Sequence, residues 1–208
     1  MTAATQIIDV LAEVAAITAA LEARRDPAYE QGMRRTVPSA LPAHAVRVPE
    51  LRKVAIEWLR AHRQTPKEDI VRVAEALWSV GWREEMLVGI ALLAHSRLAM
   101  DALSWEVVER WSAELENWEQ VDHLASVTGP LLNARSALIV RVRALSQAES
   151  PWQRRLAIVT LIDAFRSNAA WRSQLESMAS ELRTDKHPVV RKGVVWARDR
   201  LAKDRMDG

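Results

Sequence analysis

The chain has 208 residues, of which 49% are hydrophobic and 27% are charged, and its formal net charge at pH 7 is +2. These are ordinary values for a globular protein with a substantial core. The absence of cysteine excludes disulfides, iron–sulfur clusters and zinc sites with thiolate ligands. No apolar run approaches the ~20 residues that a membrane-spanning helix requires.

The N-terminal stretch AATQIIDVLAEVAAITAALEARR, residues 3–25, lacks the basic start of a signal peptide and is interrupted by Asp9 and Glu13. We therefore interpret it as an amphipathic helix of a cytoplasmic protein. The next apolar stripe, in PELRKVAIEWL, has the i, i+3, i+4, i+7, i+8 spacing of one helix face. Its members are Leu51, Val54, Ala55, Trp58 and Leu59.

Prolines predict where four helices start. Thr65–Glu68 (TPKE) and Ser150–Gln153 (SPWQ) each offer a hydroxyl N-cap, a proline at the first helical position and a Glu or Gln at N3. Pro49 and Pro188 are predicted to open two more helices. No segment has the convincing alternation of a strand.

Helical units of about 12–18 residues with short connections predict an all-α fold. We expect one domain, residues 1–208, that forms a right-handed α-solenoid of antiparallel HEAT-like helix pairs. It should contain roughly ten to twelve helices and present a concave basic face. The HEAT-like pairing is inferred from helix length and spacing, since no strict repeat signature is visible.

The small net charge hides a strong segregation of charge along the chain. Residues 33–63 carry seven Lys or Arg against two Glu, and residues 151–208 carry twelve against seven acidic groups. Residues 104–126 carry six acidic groups and one Arg. If the basic segments met on one face, they would attract phosphate backbones in a salt-dependent way. The alternative is that these cations only keep the surface solvated.

The helix predicted for HPVVRKGVVWARDRLAK, residues 187–203, places Trp196 away from its apolar stripe. Trp196 falls beside Lys192, Arg200 and Lys203, where its ring can lie against a sugar or base while the cations hold phosphates. The alternative is a tryptophan packed under a neighbouring helix, with Arg stems covering its edges. The stripe predicted to be buried consists of Val190, Val194, Ala197 and Leu201.

In ENWEQVDHLA, residues 116–125, Trp118 and Asp122 lie four residues apart on one edge of a predicted helix. A carboxylate beside an aromatic ring can stabilise a developing cation in a pocket that excludes water. The alternative is that Asp122 caps a neighbouring helix or pairs with an arginine. The core side of this helix is predicted to hold Val121, Leu124, Ala125 and Thr128.

Arg154 and Arg155 fall in the first turn of a predicted helix, where the helix dipole disfavours cations. The pair therefore indicates an external anion. A salt bridge to Asp122, Glu119 or another acidic group remains the alternative.

Several stretches resemble the DNA alkylation repair (AlkD-like) family of HEAT-like DNA glycosylases, and the resemblance covers most of the chain. The family's Trp-x-x-x-Asp pair falls on Trp118 and Asp122, the arginine of its W-x-x-R segment on Arg155, and a later tryptophan on Trp196. The matching stretches are VPELRKV, EALWSVGWREEM, NWEQVDHLA, SPWQRRLAI and VVRKGVVWARDRL.

The resemblance implies excision of N3- and N7-alkylated purines from double-stranded DNA. Asp122 would stabilise an oxocarbenium-like sugar and position water, the two tryptophans would contact the deoxyribose, and Arg155 would hold the adjacent phosphate. We expect a monomer that uses no cofactor and no metal, since the five histidines have no ligand spacing. Other expected DNA contacts are Arg34, Arg35, Arg154, Lys192, Arg200 and Lys203.

The chain departs from the family pattern at three places. A family tyrosine falls on Thr36, a glycine frequent before the P-x-x-R motif falls on Ala45, and the sequence ends soon after the Trp196 helix. These differences concern substrate range more than reaction type.

Two other classes of function stay open. One is a non-catalytic module that binds branched or distorted DNA, and the other is a protein–protein scaffold. The presence of Trp118, Asp122 and Arg155 together argues against the first. Basic residues around Trp196 argue mildly against the second.

Overall fold

The structure is a computed structural model and describes residues 8–207. These residues form twelve α-helices and three short 3₁₀ turns, without a strand, so the predicted all-α class is confirmed. Residues 3–7 of the predicted N-terminal helix lie outside the described residues. The helices are α1 Val10–Glu22, α2 Pro27–Thr36, α3 Val48–Ala61, α4 Lys67–Ser79, α5 Arg83–His95, α6 Arg97–Ala102, α7 Trp105–Ala113, α8 Trp118–Ala134, α9 Ile139–Ser146, α10 Pro151–Ser167, α11 Arg172–Glu181 and α12 Pro188–Asp207.

Three of the four predicted helix starts are confirmed. α3 carries Pro49 in its first turn, α12 begins at Pro188, and α10 has Ser150 as its N-cap and Pro151 as its first residue. The side chain of Ser150 makes no capping hydrogen bond, however. Instead of completing a capping box, Gln153 donates from Nε2 to the Ser112 hydroxyl, 3.1 Å away.

The capping box predicted at Thr65 is wrong. Helix α4 begins at Lys67, and Pro66 occupies the N-cap with an extended ψ of 143°. Thr65 therefore lies outside the helix, and Glu68 lies in its first turn at N2 rather than N3. The expected helix length also needs correction, because α6, α7 and α9 have only 6, 9 and 8 residues.

Contacts between the helices divide the chain into two compact units, unit 1 at Met1–Val107 and unit 2 at Val108–Gly208. In unit 1, α5 packs against both α3 and α4. Four members of the stripe predicted on α3 are buried, and Leu59 is half-buried. The single domain and the right-handed array stay predictions.

In unit 2, α8 and α10 run parallel. Asp122 pairs with Arg155, 33 residues later, and the Thr128 hydroxyl bonds to the Thr160 hydroxyl, 32 residues later. Both contacts advance along the two helices in the same direction, which only a parallel pair allows. The intervening α9, which packs against α10, returns the chain to the starting end.

The same step is repeated between α10 and α12. Arg155 donates to the carbonyl oxygen of Val189, 34 residues later, and Ile158 packs against Gly193. A Cβ added at Gly193 would lie 2.9 Å from Ile158 Cγ2, so glycine allows α12 to approach α10 closely. Unit 2 thus contains a layer of three parallel helices, α8, α10 and α12. Among the residues that the structure describes, no helix is long and apolar enough to cross a membrane.

Candidate functional site

Helix α8 presents Trp118 and Asp122 on one half-buried edge, as predicted. Asn117 caps the helix by accepting a hydrogen bond from the Gln120 amide at 3.0 Å. Because Trp118 is the first residue of α8, it lies one turn, about 6 Å along the axis, before Asp122. The four residues predicted for the core side, Val121, Leu124, Ala125 and Thr128, are all buried.

The Asp122 carboxylate is held by Arg155 through both oxygens. Arg155 Nε donates to Oδ1 at 3.1 Å, and Nη2 donates to Oδ2 at 2.9 Å. The third nitrogen of Arg155, Nη1, donates to the Val189 carbonyl oxygen at 2.9 Å. The Arg155 side chain is only 9% exposed, whereas that of Asp122 is 25% exposed.

This geometry contains the salt bridge that the sequence left as the alternative for Arg155. Each of its three nitrogens already donates to a protein oxygen, so contact with a DNA phosphate would need its remaining N–H groups or a rearrangement. The phosphate contact of Arg155 stays a prediction. What the structure shows is a guanidinium that orients a carboxylate which solvent still reaches.

Burial raises the pKa of Asp122 above its ordinary value of 3.8. The hydrogen bonds and positive charge of Arg155 oppose this effect, and the negative charge of Asp163 adds to it. Asp163 lies on α10 against Gly129 of α8, where a Cβ on the glycine would come within 2.7 Å of the Asp163 Cβ. The pKa of Asp163 is also raised, chiefly by burial.

Arg154 points to a different set of partners. Its Nε and Nη2 donate to the two carboxylate oxygens of Asp185, at 2.7 and 3.1 Å. Its Nη1 donates to the carbonyl oxygens of Ala148 and Glu149, at 2.8 and 2.7 Å. Arg154 is therefore buried and joined to the loops before α10 and α12. Its expected contact with DNA stays a prediction. These hydrogen bonds oppose such a contact, because they already occupy all three nitrogens of Arg154.

The face of α12 that carries Trp196 has the predicted composition. Trp196 is 37% exposed, and the four residues of the predicted apolar stripe are buried. Lys192 and Lys203 are exposed and Arg200 is half-buried. None of these three cations has an ion-pair partner among the residues that the structure describes, and Arg200 Nε is buried without a hydrogen bond there. We call Lys192, Trp196, Arg200 and Lys203 the α12 basic stripe.

Successive hydrogen bonds link the site from one of the three parallel helices to the next. Asp122 on α8 contacts Arg155 on α10, which contacts Val189 in the first turn of α12. Trp196 follows Val189 by seven residues, which is about 10 Å along the axis. Trp118 and Trp196 thus belong to the same unit as Asp122. The remaining predicted DNA contacts, Arg34 and Arg35, lie in the last turn of α2 in unit 1, where Arg34 pairs with Glu30.

Sequence reasoning missed Asp163, Asp185 and the Val189 carbonyl oxygen. Gly129 inside α8, which packs against Asp163, and Gly193 inside α12 were the available signals, because a glycine within a helix often marks a close packing contact. Nothing in the local pattern around Asp163 or Asp185 distinguishes them from solvent-exposed acidic residues.

The family model for the DNA alkylation repair enzyme matches residues 17–207. The chain belongs to this family. The match covers most of both units and includes every residue of the candidate site.

The chain also resembles a solved structure, the predicted DNA alkylation repair enzyme from Enterococcus faecalis. The superposition has a TM-score of 0.69 at 20% sequence identity and covers 86% of this chain and 84% of the other. At this level of identity the likeness supports the fold. A comparison with curated protein sequences gives no match.

Proposed function

We propose that the protein is a DNA glycosylase that excises cationic N3- and N7-alkylated purines from duplex DNA by hydrolysing the N-glycosidic bond. Membership of the DNA alkylation repair family supports a role in repair. The observation that carries the proposal is the Asp122 carboxylate, which Arg155 holds through both oxygens while a quarter of the side chain stays exposed.

The chemistry of the lesion fits a single oriented carboxylate. An alkylated purine of this kind carries a positive charge, so it leaves as a neutral base and needs no strong general acid. The sugar develops positive charge as the bond breaks, and Asp122 stabilises that charge and directs water to C1′. Because Arg155 fixes the carboxylate before the reaction, little reorganisation is needed when the charge develops.

The surroundings of Asp122 support contacts with a DNA backbone. Trp118 and Trp196 are the aromatic rings for the deoxyribose in this proposal. In this proposal the cations of the α12 basic stripe hold phosphates, and Arg34 and Arg35 are further candidate contacts in unit 1. In this proposal the protein acts as a monomer in the cytoplasm, with double-stranded DNA as partner and without a cofactor.

The deciding experiment is a single-turnover assay on a duplex with one N7-methylguanine, with the released free base identified by mass. The same duplex with unmodified guanine is the control. Excess protein should release N7-methylguanine and leave guanine in place. Absence of release from any cationic lesion would contradict the glycosylase.

Binding measured in parallel separates the two alternatives. Salt-dependent DNA binding without base release would favour a non-catalytic module that recognises branched or distorted DNA. If affinity for DNA were absent at low salt, a protein–protein scaffold would be favoured instead.

A further inference from the structure

The loop before α12 is tied to α10 by an ion pair next to the candidate site. Arg154 holds Asp185 through both carboxylate oxygens and also donates to the carbonyl oxygens of Ala148 and Glu149. The Arg154 and Asp185 side chains are only 9% and 7% exposed. A buried bidentate pair of this kind has a fixed geometry, because the planar fork of the guanidinium matches the carboxylate.

Asp185 in turn organises the start of α12. Its Oδ1 accepts a hydrogen bond from the backbone amide of His187 at 2.8 Å. The carbonyl oxygen of His187 accepts the first helical hydrogen bonds, from the amides of Val190 and Arg191. Arg191 braces the same loop, since its Nη1 donates to the carbonyl oxygens of Asp185 and Lys186.

The turn that begins there supplies the anchor of Arg155. Val189 follows His187 by two residues, and its carbonyl oxygen accepts from Arg155 Nη1. Another side of the same guanidinium holds Asp122. A shift of the first turn of α12 therefore moves the anchor of the group that orients the carboxylate.

Packing further along α12 prevents the helix from compensating. At Gly193 the helix already contacts Ile158 so closely that a Cβ would lie 2.9 Å from Ile158 Cγ2. The helix cannot move further towards α10 there, so its first turn is set by the loop contacts.

We propose that Arg154 and Asp185 are positioning residues for the Asp122 site: their ion pair sets the first turn of α12, whose Val189 carbonyl oxygen fixes Arg155 and thereby the carboxylate. This inference rests on the proposed glycosylase function for its effect on rate. Its structural step can be tested in the free protein.

The test uses Asp185→Asn, which keeps the size of the side chain and removes its charge. The matched control is Asp204→Asn, because Asp204 also belongs to α12 and pairs with an arginine, Arg172, but lies at the far end of the helix. Each variant is compared with the wild type at a temperature where thermal unfolding shows that it is folded.

The first readout is hydrogen exchange of the Arg155 Nε–H with water, measured by NMR without DNA. The signal is assigned by its loss in Arg155→Lys. We expect Asp185→Asn to exchange about 10-fold faster than the wild type, since the hydrogen bonds of Arg155 would open more often. Asp204→Asn should exchange at the wild-type rate. Unchanged exchange in Asp185→Asn would overturn the inference.

The second readout is single-turnover base release together with equilibrium DNA binding. Asp185→Asn should release the base about 10-fold more slowly, because a small displacement of an orienting group is costly in rate. Its affinity for DNA should stay within about twofold of the wild type, since phosphate contacts supply most of it. Faster exchange with an unchanged rate of base release would also overturn the positioning role.

The two readouts keep the inference apart from the proposed function. If the wild type releases no base, the glycosylase is contradicted, and the exchange measurement still decides whether the ion pair positions Arg155. If Asp185→Asn does not fold, Arg154→Lys takes its place, because it keeps the buried charge but loses the bidentate geometry. The same two outcomes, faster exchange and slower release, are then expected of Arg154→Lys, and wild-type values would overturn the inference.

Discussion

Unit 1 and unit 2 each bury charged side chains near the N-terminus of a helix, α5 in unit 1 and α10 in unit 2. In unit 1 the charges are the carboxylates of Glu84 and Glu85, which the dipole of α5 favours, together with the guanidinium group of Arg83, which pairs with Glu84. In unit 2 they are the guanidinium groups of Arg154 and Arg155, which the dipole of α10 disfavours.

The two clusters also differ in what they hold. Glu84 accepts hydrogen bonds from the backbone amides of His44 and Val46, and Glu85 accepts from His44 Nε2. These contacts fix the loop before α3, and both carboxylates are fully buried. Arg155 instead holds Asp122, and the Asp122 side chain is partly exposed to solvent.

Burial of charge is therefore not by itself an indication of a functional site. The unit 1 cluster ends on backbone amides and buried side chains and so stabilises the shape of a loop. The unit 2 cluster ends on an oriented carboxylate, in the same unit as the cations of the α12 basic stripe. Variants of each cluster should separate these two roles, because unit 1 variants should change stability and unit 2 variants should change rate.

The largest effect is expected from Asp122→Asn. The variant keeps the shape of the side chain but removes the charge that stabilises the sugar, so single-turnover release of N7-methylguanine should fall by about 10²–10³-fold. Affinity for DNA should hardly change, because phosphate contacts supply most of it.

The control for this variant is Glu109→Gln, which removes one negative charge from an exposed ion pair with Arg141 in the same unit. It should release base at the wild-type rate. A wild-type rate in Asp122→Asn would contradict the catalytic assignment of Asp122.

In unit 1, Glu84→Gln should lower the free energy of unfolding by about 2 kcal/mol. Both oxygens of Glu84 accept from buried donors, and the variant turns one acceptor into a donor that faces other donors. Denaturant unfolding gives the value. Base release per folded molecule should be unchanged.

Glu85→Gln provides the comparison within the cluster. Only Oε1 of Glu85 has partners, His44 Nε2 and the Thr18 hydroxyl, while Oε2 is buried without one among the described residues. The amide of the variant side chain can keep its oxygen at the Oε1 position, where it still accepts both hydrogen bonds. The free energy of unfolding should therefore fall by about 1 kcal/mol or less. A loss in free energy of unfolding equal to or larger than that of Glu84→Gln would contradict the assignment of Glu85 Oε2 as an oxygen without a partner among the described residues.

The pH dependence of base release should shift in opposite directions in two unit 2 variants. The reaction needs ionised Asp122, and burial raises its pKa, so the acidic limb of the wild-type rate should lie above the pH of an ordinary aspartate. Arg155→Ala removes the group that lowers this pKa and should move the limb to higher pH. Asp163→Asn removes a charge that raises it and should move the limb to lower pH.

These shifts are read from the single-turnover rate measured as a function of pH, with each variant checked for folding at every pH. The signs follow from the charge that each variant removes beside Asp122. A shift in the same direction for both variants would contradict the assignment of the limb to Asp122.

The features that lie within a single helix could be predicted from the sequence. The buried stripes of α8 and α12 and the Trp118–Asp122 edge depend on the 3.6-residue period alone. The partner of Arg155 could not be chosen, because Asp122 lies 33 residues away and the register between parallel helices depends on packing. The N-cap predicted at Thr65 is wrong because a proline can stand at the N-cap as well as at the first helical position, and Pro66 does so here.

The smallest effect concerns Ala45, which stands where the resembled family often has glycine. Its φ is +61°, in the left-handed region that costs an alanine about 1–2 kcal/mol. The loop is nevertheless kept in this conformation by the hydrogen bonds of Glu84 to the amides on either side, those of His44 and Val46.

Three contributions decide the effect of Ala45→Gly. Relief of the backbone strain stabilises the fold, while loss of a buried methyl costs about 0.8 kcal/mol and the greater freedom of glycine in the unfolded chain costs about 0.4–1 kcal/mol. These nearly cancel, so we expect a change within about 0.5 kcal/mol of zero. Ala55 is the matched control, since it is equally buried, at 0% exposure against 1%, but lies in the middle of α3.

Ala55→Gly has no strain to relieve and should cost about 2 kcal/mol from the lost methyl and the poor helix propensity of glycine. Denaturant unfolding of both variants should therefore give a difference of about 1.5 kcal/mol or more. Equal losses would mean that the conformation of Ala45 carries no strain. In that case Glu84 would not be forcing the loop, and the contrast between a unit 1 cluster that shapes the backbone and a unit 2 cluster that orients a carboxylate would have to rest on the rate measurements alone.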